Sequence, residues 1–199
     1  MSLGKQSKVL TEKQIETLLA YVSSRRNGAR NRVIIQLSVK AGLRAKEIAC
    51  LKWAMLLNAD GVVGDAIHLT NIASKGASGR VIPLNKALKE SLLHLWEHES
   101  SQARFNSHES HVIRSERSPR TSAQAVVNMF QRWYRDLNFV GCSSHSGRRT
   151  FITNTARKIS LVGGSLRDVQ SLAGHSNLQT TQRYIDHDTE CQRKVVNLL

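Results

Sequence analysis

The sequence predicts a mainly α-helical protein with a small antiparallel β-sheet, an α+β arrangement. Three observations point there. The 199 residues include only two prolines and few aromatic side chains. Apolar residues recur at three- and four-residue spacing through most of the chain. A single stretch, 53–84, breaks that period with turn signals and alternating residues.

Taken in order, Thr11 opens a first helix. Gln14, three residues on, completes a capping box, and Ile15, Leu18, Leu19 and Val22 follow at helical spacing. A second helix is expected over 29–41, with Val33, Ile34, Leu37 and Val39 apolar, closed by Gly42 as a C-terminal cap. Residues 43–51 restart helically with Ile48 and Leu51 inward. Asn58-Ala59-Asp60-Gly61 marks a turn. Strands are expected over 66–70 and 80–84, joined by the glycine-rich tip Ser74-Lys75-Gly76-Ala77-Ser78-Gly79. Asn85 caps a helix carrying Leu88, Leu92, Leu93 and Trp96. The polar segment 99–122, with Pro119, reads as a loop holding a short ordered piece at Val112-Ile113. Further helices are expected over 122–137, 146–159, 165–173 and 177–185. A tail over 186–199 carries Val195, Val196, Leu198 and Leu199.

Lys and Arg number 29 against 15 Asp and Glu, a formal charge of +14. The sequence pI is about 10.4. A field of that sign captures polyanions, and nucleic acid is the first candidate. Charge alone also fits a ribosomal-type protein, a membrane-surface binder or a merely basic enzyme. Cys50, Cys142 and Cys191 are odd in number and scattered, which suits reduced thiols in a cytosolic or nucleoid setting. Without a Cys-x-x-Cys pair a structural zinc site is not expected. No apolar run reaches about 18 residues and no signal peptide is evident, so a soluble cytoplasmic protein is expected.

Four segments concentrate titratable groups. Arg44 stands at a helix start with Glu47 one turn on. Lys75 lies at the glycine-rich tip. His145 and Arg148 are three residues apart and share a helical face. Gly174-His175 sits at a helix junction, and Tyr184 follows nine residues later. Each alone has an ordinary explanation: a surface ion pair, a solvated lysine, a capping histidine, a packed aromatic.

Their order changes the reading. "AGLRAKEIACLKW", "SKGASGRVIPL", "SSHSGRRTFIT" and "LAGHSNLQTTQRYID" resemble, in sequence, the first arginine box, the lysine-bearing hairpin, the His-x-x-Arg box and the histidine–tyrosine box of the tyrosine recombinase (phage integrase) family. "VIRSERSPRTSAQAVVNMFQRWY" resembles the segment preceding the third box. The resemblance spans roughly residues 10–185. It implies the family's DNA breaking-rejoining catalytic fold, mainly α with a three-stranded antiparallel sheet, as one catalytic domain over 1–199. The family's N-terminal DNA-clamping (core-binding) domain is not expected before the first helix, so the sequence reads either as an excised catalytic domain or as a naturally short, stand-alone one.

The resemblance also implies a site-specific recombinase or integrase working through a 3′-phosphotyrosyl intermediate without metal, cofactor or ATP. Tyr184 is then the nucleophile. Arg44 and Arg148 bind the phosphate oxygens, since planar guanidinium forks match that geometry. Lys75 protonates the leaving 5′ oxygen. His145 exchanges a proton with Tyr184, because a phenol with a pKa of about 10 is mostly protonated at neutral pH. His175 donates to the phosphate, and Glu47 orients Arg44 or His145. The implied partners are double-stranded DNA, further copies of the chain in a synaptic tetramer, and accessory DNA-bending proteins. The tail packs either on a neighbouring protomer or on its own core. Two other classes compete: a topoisomerase-like relaxing enzyme of the same chemistry, and a non-catalytic DNA-binding module.

Overall fold

The computed structural model describes residues 6–74, 78–101, 105–116 and 118–184, with 193, 196 and 197 in the tail. Lys75 and the rest of the tail therefore lie outside the described residues, as does Cys191.

Helix α1 (Glu12–Ser23) begins with the reciprocal box: the Thr11 hydroxyl accepts from the Gln14 N–H at 3.2 Å, and the Gln14 side chain accepts from the Thr11 N–H at 3.0 Å. Helix α2 (Gly28–Ala41) is the centre of the molecule. Val33, Ile34, Ile35 and Leu37 are fully buried, and so are the polar Gln36 and Ser38. A helix covered on nearly every face belongs inside a bundle. It packs against α1, against α4 (Lys86–Ser100) and against α6 (Ser146–Lys158).

Helix α3 (Ala45–Cys50) follows α2 after Gly42 and packs on α5 (Ala123–Asp136), which buries Val126, Phe130, Trp133 and Tyr134. Ser122 and Asn85 cap α5 and α4 through their side chains. Trp53, in a 3-10 turn, meets Trp96 of α4 edge-on at 4.9 Å, so two large apolar side chains lock the hairpin region to the bundle. Burying such a side chain stabilises the fold by about 1.5–3 kcal/mol.

The sheet differs from expectation. Among the described residues it has two strands, β1 (Ala66–Leu69) and β2 (Arg80–Pro83), antiparallel with Ile67 opposite Ile82 and Leu69 opposite Arg80. The third strand that the resemblance implies is not among them; flanking the Asn58-Ala59-Asp60-Gly61 turn, Leu57 and Val63 form only an isolated bridge. The Asn58 side chain accepts from the Asp60 and Val62 N–H groups at 3.0 and 3.1 Å. Those amides are turned inside the turn and cannot extend a ladder. The piece at Val112-Ile113 is ordered and buried, tied by the Val112 N–H to the Leu51 carbonyl.

Helices α6, α7 (Leu166–Ala173) and α8 (Leu178–Gln182) close the chain around a second, smaller apolar cluster of Ile152, Val169 and Ala173, with Tyr184 against its edge. The described helices include none long and apolar enough to cross a membrane.

Candidate active site

The site forms where the C-terminal end of α2, the N-termini of α3 and α6, and the C-terminal end of α7 converge. Gly42 makes that approach possible. It turns left-handed at φ 66°, and a Cβ there would lie 2.4 Å from Phe151 Cδ1. Gly147 does the same for α6, since a Cβ would fall 2.3 Å from Ser38 Oγ.

Arg148 enters through that close contact. Its Nη1 donates to the Gly42 carbonyl and its Nη2 to the Ala173 carbonyl, each at 2.7 Å, and only 4% of the residue is exposed. Burial lowers its proton affinity, with Arg44 adding to that, to a pKa of about 10, so the group stays cationic at neutral pH. Arg44 caps α3. Its backbone N–H donates to Glu47 Oε2 at 2.8 Å and its Nη1 to Glu47 Oε1 at 3.0 Å. Glu47 is wholly buried. Burial pushes its carboxyl up, but hydrogen bonds and charge from Arg80, then those of Arg44, outweigh that and hold it below the usual carboxylate range.

His175 follows Gly174, the left-handed cap of α7 at φ 62°. Its Nδ1 lies 3.0 Å from the Thr181 hydroxyl. Burial, then the charges of Arg148, Arg44 and Arg80, push its pKa down to about 4, so the ring is neutral at pH 7. Its face stacks on the Tyr184 ring at 5.6 Å and 22°. The Arg149 guanidinium lies over the same tyrosine ring at 5.7 Å. His145 is exposed at the start of α6, its backbone N–H held by the Ser143 hydroxyl.

Thus Arg44, His145, Arg148, His175 and Tyr184 line one cleft of about 460 Å³. Arg44 and His175 also line an adjoining cleft of about 850 Å³, with Arg80 and Arg167. Among the described residues, neither cleft is lined by an acidic side chain. Nor do these residues group three His, Cys, Asp or Glu side chains fit to hold a metal ion. Glu47 orients Arg44 and holds Arg80. A contact to His145, the other role considered for it, is not among its bonds.

Sequence reasoning passed over Arg80, Arg149 and Thr181. For Arg80 a signal existed: strand alternation places it on the same inward face as Ile82. An inward arginine in a strand calls for a buried carboxylate. Arg149 and Thr181 gave no such signal, because Arg149 reaches Tyr184 across elements and Thr181 meets His175 only through the turn between α7 and α8.

Both clefts are cationic, and Tyr184 stands on the wall of the smaller one. A model of the phage integrase family matches residues 8–190 of the sequence. The chain belongs to the phage integrase family. Among relatives of this integrase-family chain, the tyrosine recombinase XerA of Thermococcus kodakarensis is 30% identical over 187 residues, covering 94% of this chain and 61% of that protein. The tyrosine recombinase XerC of Staphylococcus epidermidis is 29% identical over 188 residues, 92% of this chain and 58% of that one. The chain spans about 60% of the length of these curated relatives. The crystal structure of XerA recombinase matches 96% of the chain and 64% of its own with a TM-score of 0.74 at 20% identity. The Tn1549 transposon integrase in complex with a circular intermediate DNA matches 98% of this integrase-family chain and 66% of its own, with a TM-score of 0.71 at 19% identity. At those identities the likeness establishes the fold.

Proposed function

We propose that this chain is the catalytic part of a site-specific DNA recombinase that cuts and rejoins strands through Tyr184. The observation that carries the reading is the meeting of Arg44, His145, Arg148, His175 and Tyr184 in one cleft free of acidic lining. The Tyr184 oxygen attacks a backbone phosphorus as its proton passes to His145, forming a P–O bond and a 3′-phosphotyrosine. The P–O5′ bond breaks, and the 5′ oxygen leaves as a hydroxyl with a proton from Lys75. Arg44 and Arg148 carry the charge that builds on the non-bridging oxygens. When the Thr181 hydroxyl donates to Nδ1 of His175, the neutral ring keeps its Nε2 proton for the phosphate. Because the phosphodiester energy is kept in the tyrosyl bond, rejoining needs no ATP. The guanidiniums supply the charge stabilisation that metal ions supply in two-metal nucleases.

The partner is double-stranded DNA, which the net charge favours. Working copies assemble on it as a synaptic tetramer, with accessory DNA-bending proteins, and the protein is associated with the nucleoid. Structurally similar chains include XerH bound to difH DNA and a lambda integrase dimer on a COC′ core site, which supports DNA as the common partner.

The test uses a nicked suicide duplex, with candidate sites first selected from random DNA. Wild type is expected to form a covalent protein–DNA adduct, and Tyr184→Phe to form none. Equal adduct from both would exclude Tyr184 as nucleophile. Plasmid relaxation without recombinant products would move the reading to a relaxing enzyme, and DNA binding without any adduct would move it to a binding module.

A further inference from the structure

Arg80 opens β2 with its side chain turned inward and 5% exposed. Its Nη1 and Nη2 donate to the two oxygens of Glu47 at 3.0 and 3.2 Å, and its Nε donates to the Leu172 carbonyl at 2.8 Å. Nη1 also donates to the Ser78 carbonyl at 3.3 Å. A guanidinium has five N–H donors, so four of them are engaged within the protein and little remains for a phosphate. The packing is close as well: a Cβ on Gly174 would lie 2.8 Å from Arg80 Nη1.

One side chain thereby joins three parts of the site. The Glu47 carboxylate that it grips is the one that holds Arg44. Leu172 lies three residues before His175. Ser78 and Arg80 lie on the β2 side of the segment in which the sequence places Lys75, and Ser74 on the other side is fastened to α3 by Lys46 Nζ donating to its carbonyl at 3.2 Å. A buried ion pair is weak as a stabiliser, because well-packed apolar residues of the same volume often do as well. A bidentate, planar pair does fix direction, which apolar packing cannot.

We propose that Arg80 is a positioning residue for strand cleavage, setting the direction of Arg44 through Glu47 and the place of His175 through Leu172. The role rests on the reading of this chain as a DNA-cleaving enzyme. It separates Arg80 from the residues that touch the phosphate: its loss slows the chemical step and leaves DNA affinity nearly intact.

The experiment measures single-turnover adduct formation on the suicide duplex at saturating protein, together with the Kd for the same duplex. Wild type and Tyr184→Phe are run first. If wild type forms no adduct, the enzymatic reading fails and the role of Arg80 falls with it. If wild type cleaves, the variants judge Arg80 alone. Arg80→Met is expected to cleave roughly 10- to 100-fold more slowly, as displacements of about an ångström do at such sites, with Kd changed less than about threefold. Arg80→Lys should recover little of the rate, because one ammonium cannot span both Glu47 oxygens and the Leu172 carbonyl. Should Arg80→Met fold poorly, Glu47→Gln/Arg80→Met leaves no buried carboxylate without its arginine; it should melt closer to wild type yet cleave slowly. A wild-type rate in either folded variant would overturn the proposal. So would a loss confined to Kd, which would make Arg80 a DNA contact.

Discussion

Replacing Gly42 by alanine tests whether the turn at the end of α2 sets the site. Two costs follow from the geometry. A residue with a Cβ held at φ 66° costs about 1–2 kcal/mol. The new methyl would lie 2.4 Å from Phe151 Cδ1 and 2.9 Å from Cε1. Relieving that overlap shifts the ring or the helix end, at about 1–3 kcal/mol. The sum is about 2–5 kcal/mol, and a chain of this size loses about 2–4 °C of Tm per kcal/mol. Gly42→Ala should therefore melt about 4–20 °C below wild type by circular dichroism. In a Phe151→Ala background the steric part disappears and only the backbone part remains, so the same change should cost about 1–3 kcal/mol less. Adduct formation should fall too, because the Gly42 carbonyl is an anchor of Arg148. A Tm within about 2 °C of wild type, or an equal loss in both backgrounds, would refute the reasoning.

Arg148→Lys should stay folded yet lose roughly 100-fold or more in adduct formation, since an ammonium cannot hold two carbonyls and still face a phosphate; a suicide-substrate time course checks it. The pH dependence of stability follows from His175, whose pKa is pushed down to about 4 from an ordinary 6.5 by burial and then by Arg148, Arg44 and Arg80. Between those values the unfolded chain takes up a proton that the folded chain refuses. Stability is therefore whole above about pH 6.5 and declines as pH falls toward 4. Urea titrations across that window should show a shallower decline for His175→Gln, and an unchanged slope would remove His175 as the cause.

What the sequence disclosed depended on range. The Thr11–Gln14 box, the Asn85 cap and the Gly42 stop are settled within a few residues, and the structure has each of them. The four segments that carry the resemblance were legible for the same reason: each is a short local pattern. The sheet has two strands among the described residues, and the third was expected from the resemblance alone, with no alternating segment of its own in the sequence. Arg80 and Glu47 are 33 positions apart, and no periodicity links them. Burial of Ser38 was hidden because α6 presses on that side of α2 at Gly147. Lys75, whose place was read from a glycine-rich tip, lies outside the described residues, so its expectation rests on the motif alone.

The two arginines proposed to bind the phosphate are anchored differently. Arg44 leans on a carboxylate, whereas Arg148 hangs between two neutral carbonyls. In the hydrogen-bonded cluster beneath the clefts, three guanidiniums (Arg44, Arg80, Arg148) stand against the single carboxylate of Glu47, with His175 uncharged, an excess of 3 − 1 = +2 before Arg149, Arg167 and Arg183 on the cleft walls are counted. A phosphodiester bears one negative charge, while the five-coordinate phosphorus formed by attack of a phenolate bears two. On the proposed chemistry an excess of guanidiniums over carboxylate favours the doubly charged structure at the top of the barrier more than bound DNA. Had Arg148 been seated on an acid as Arg44 is, that excess would be one charge smaller.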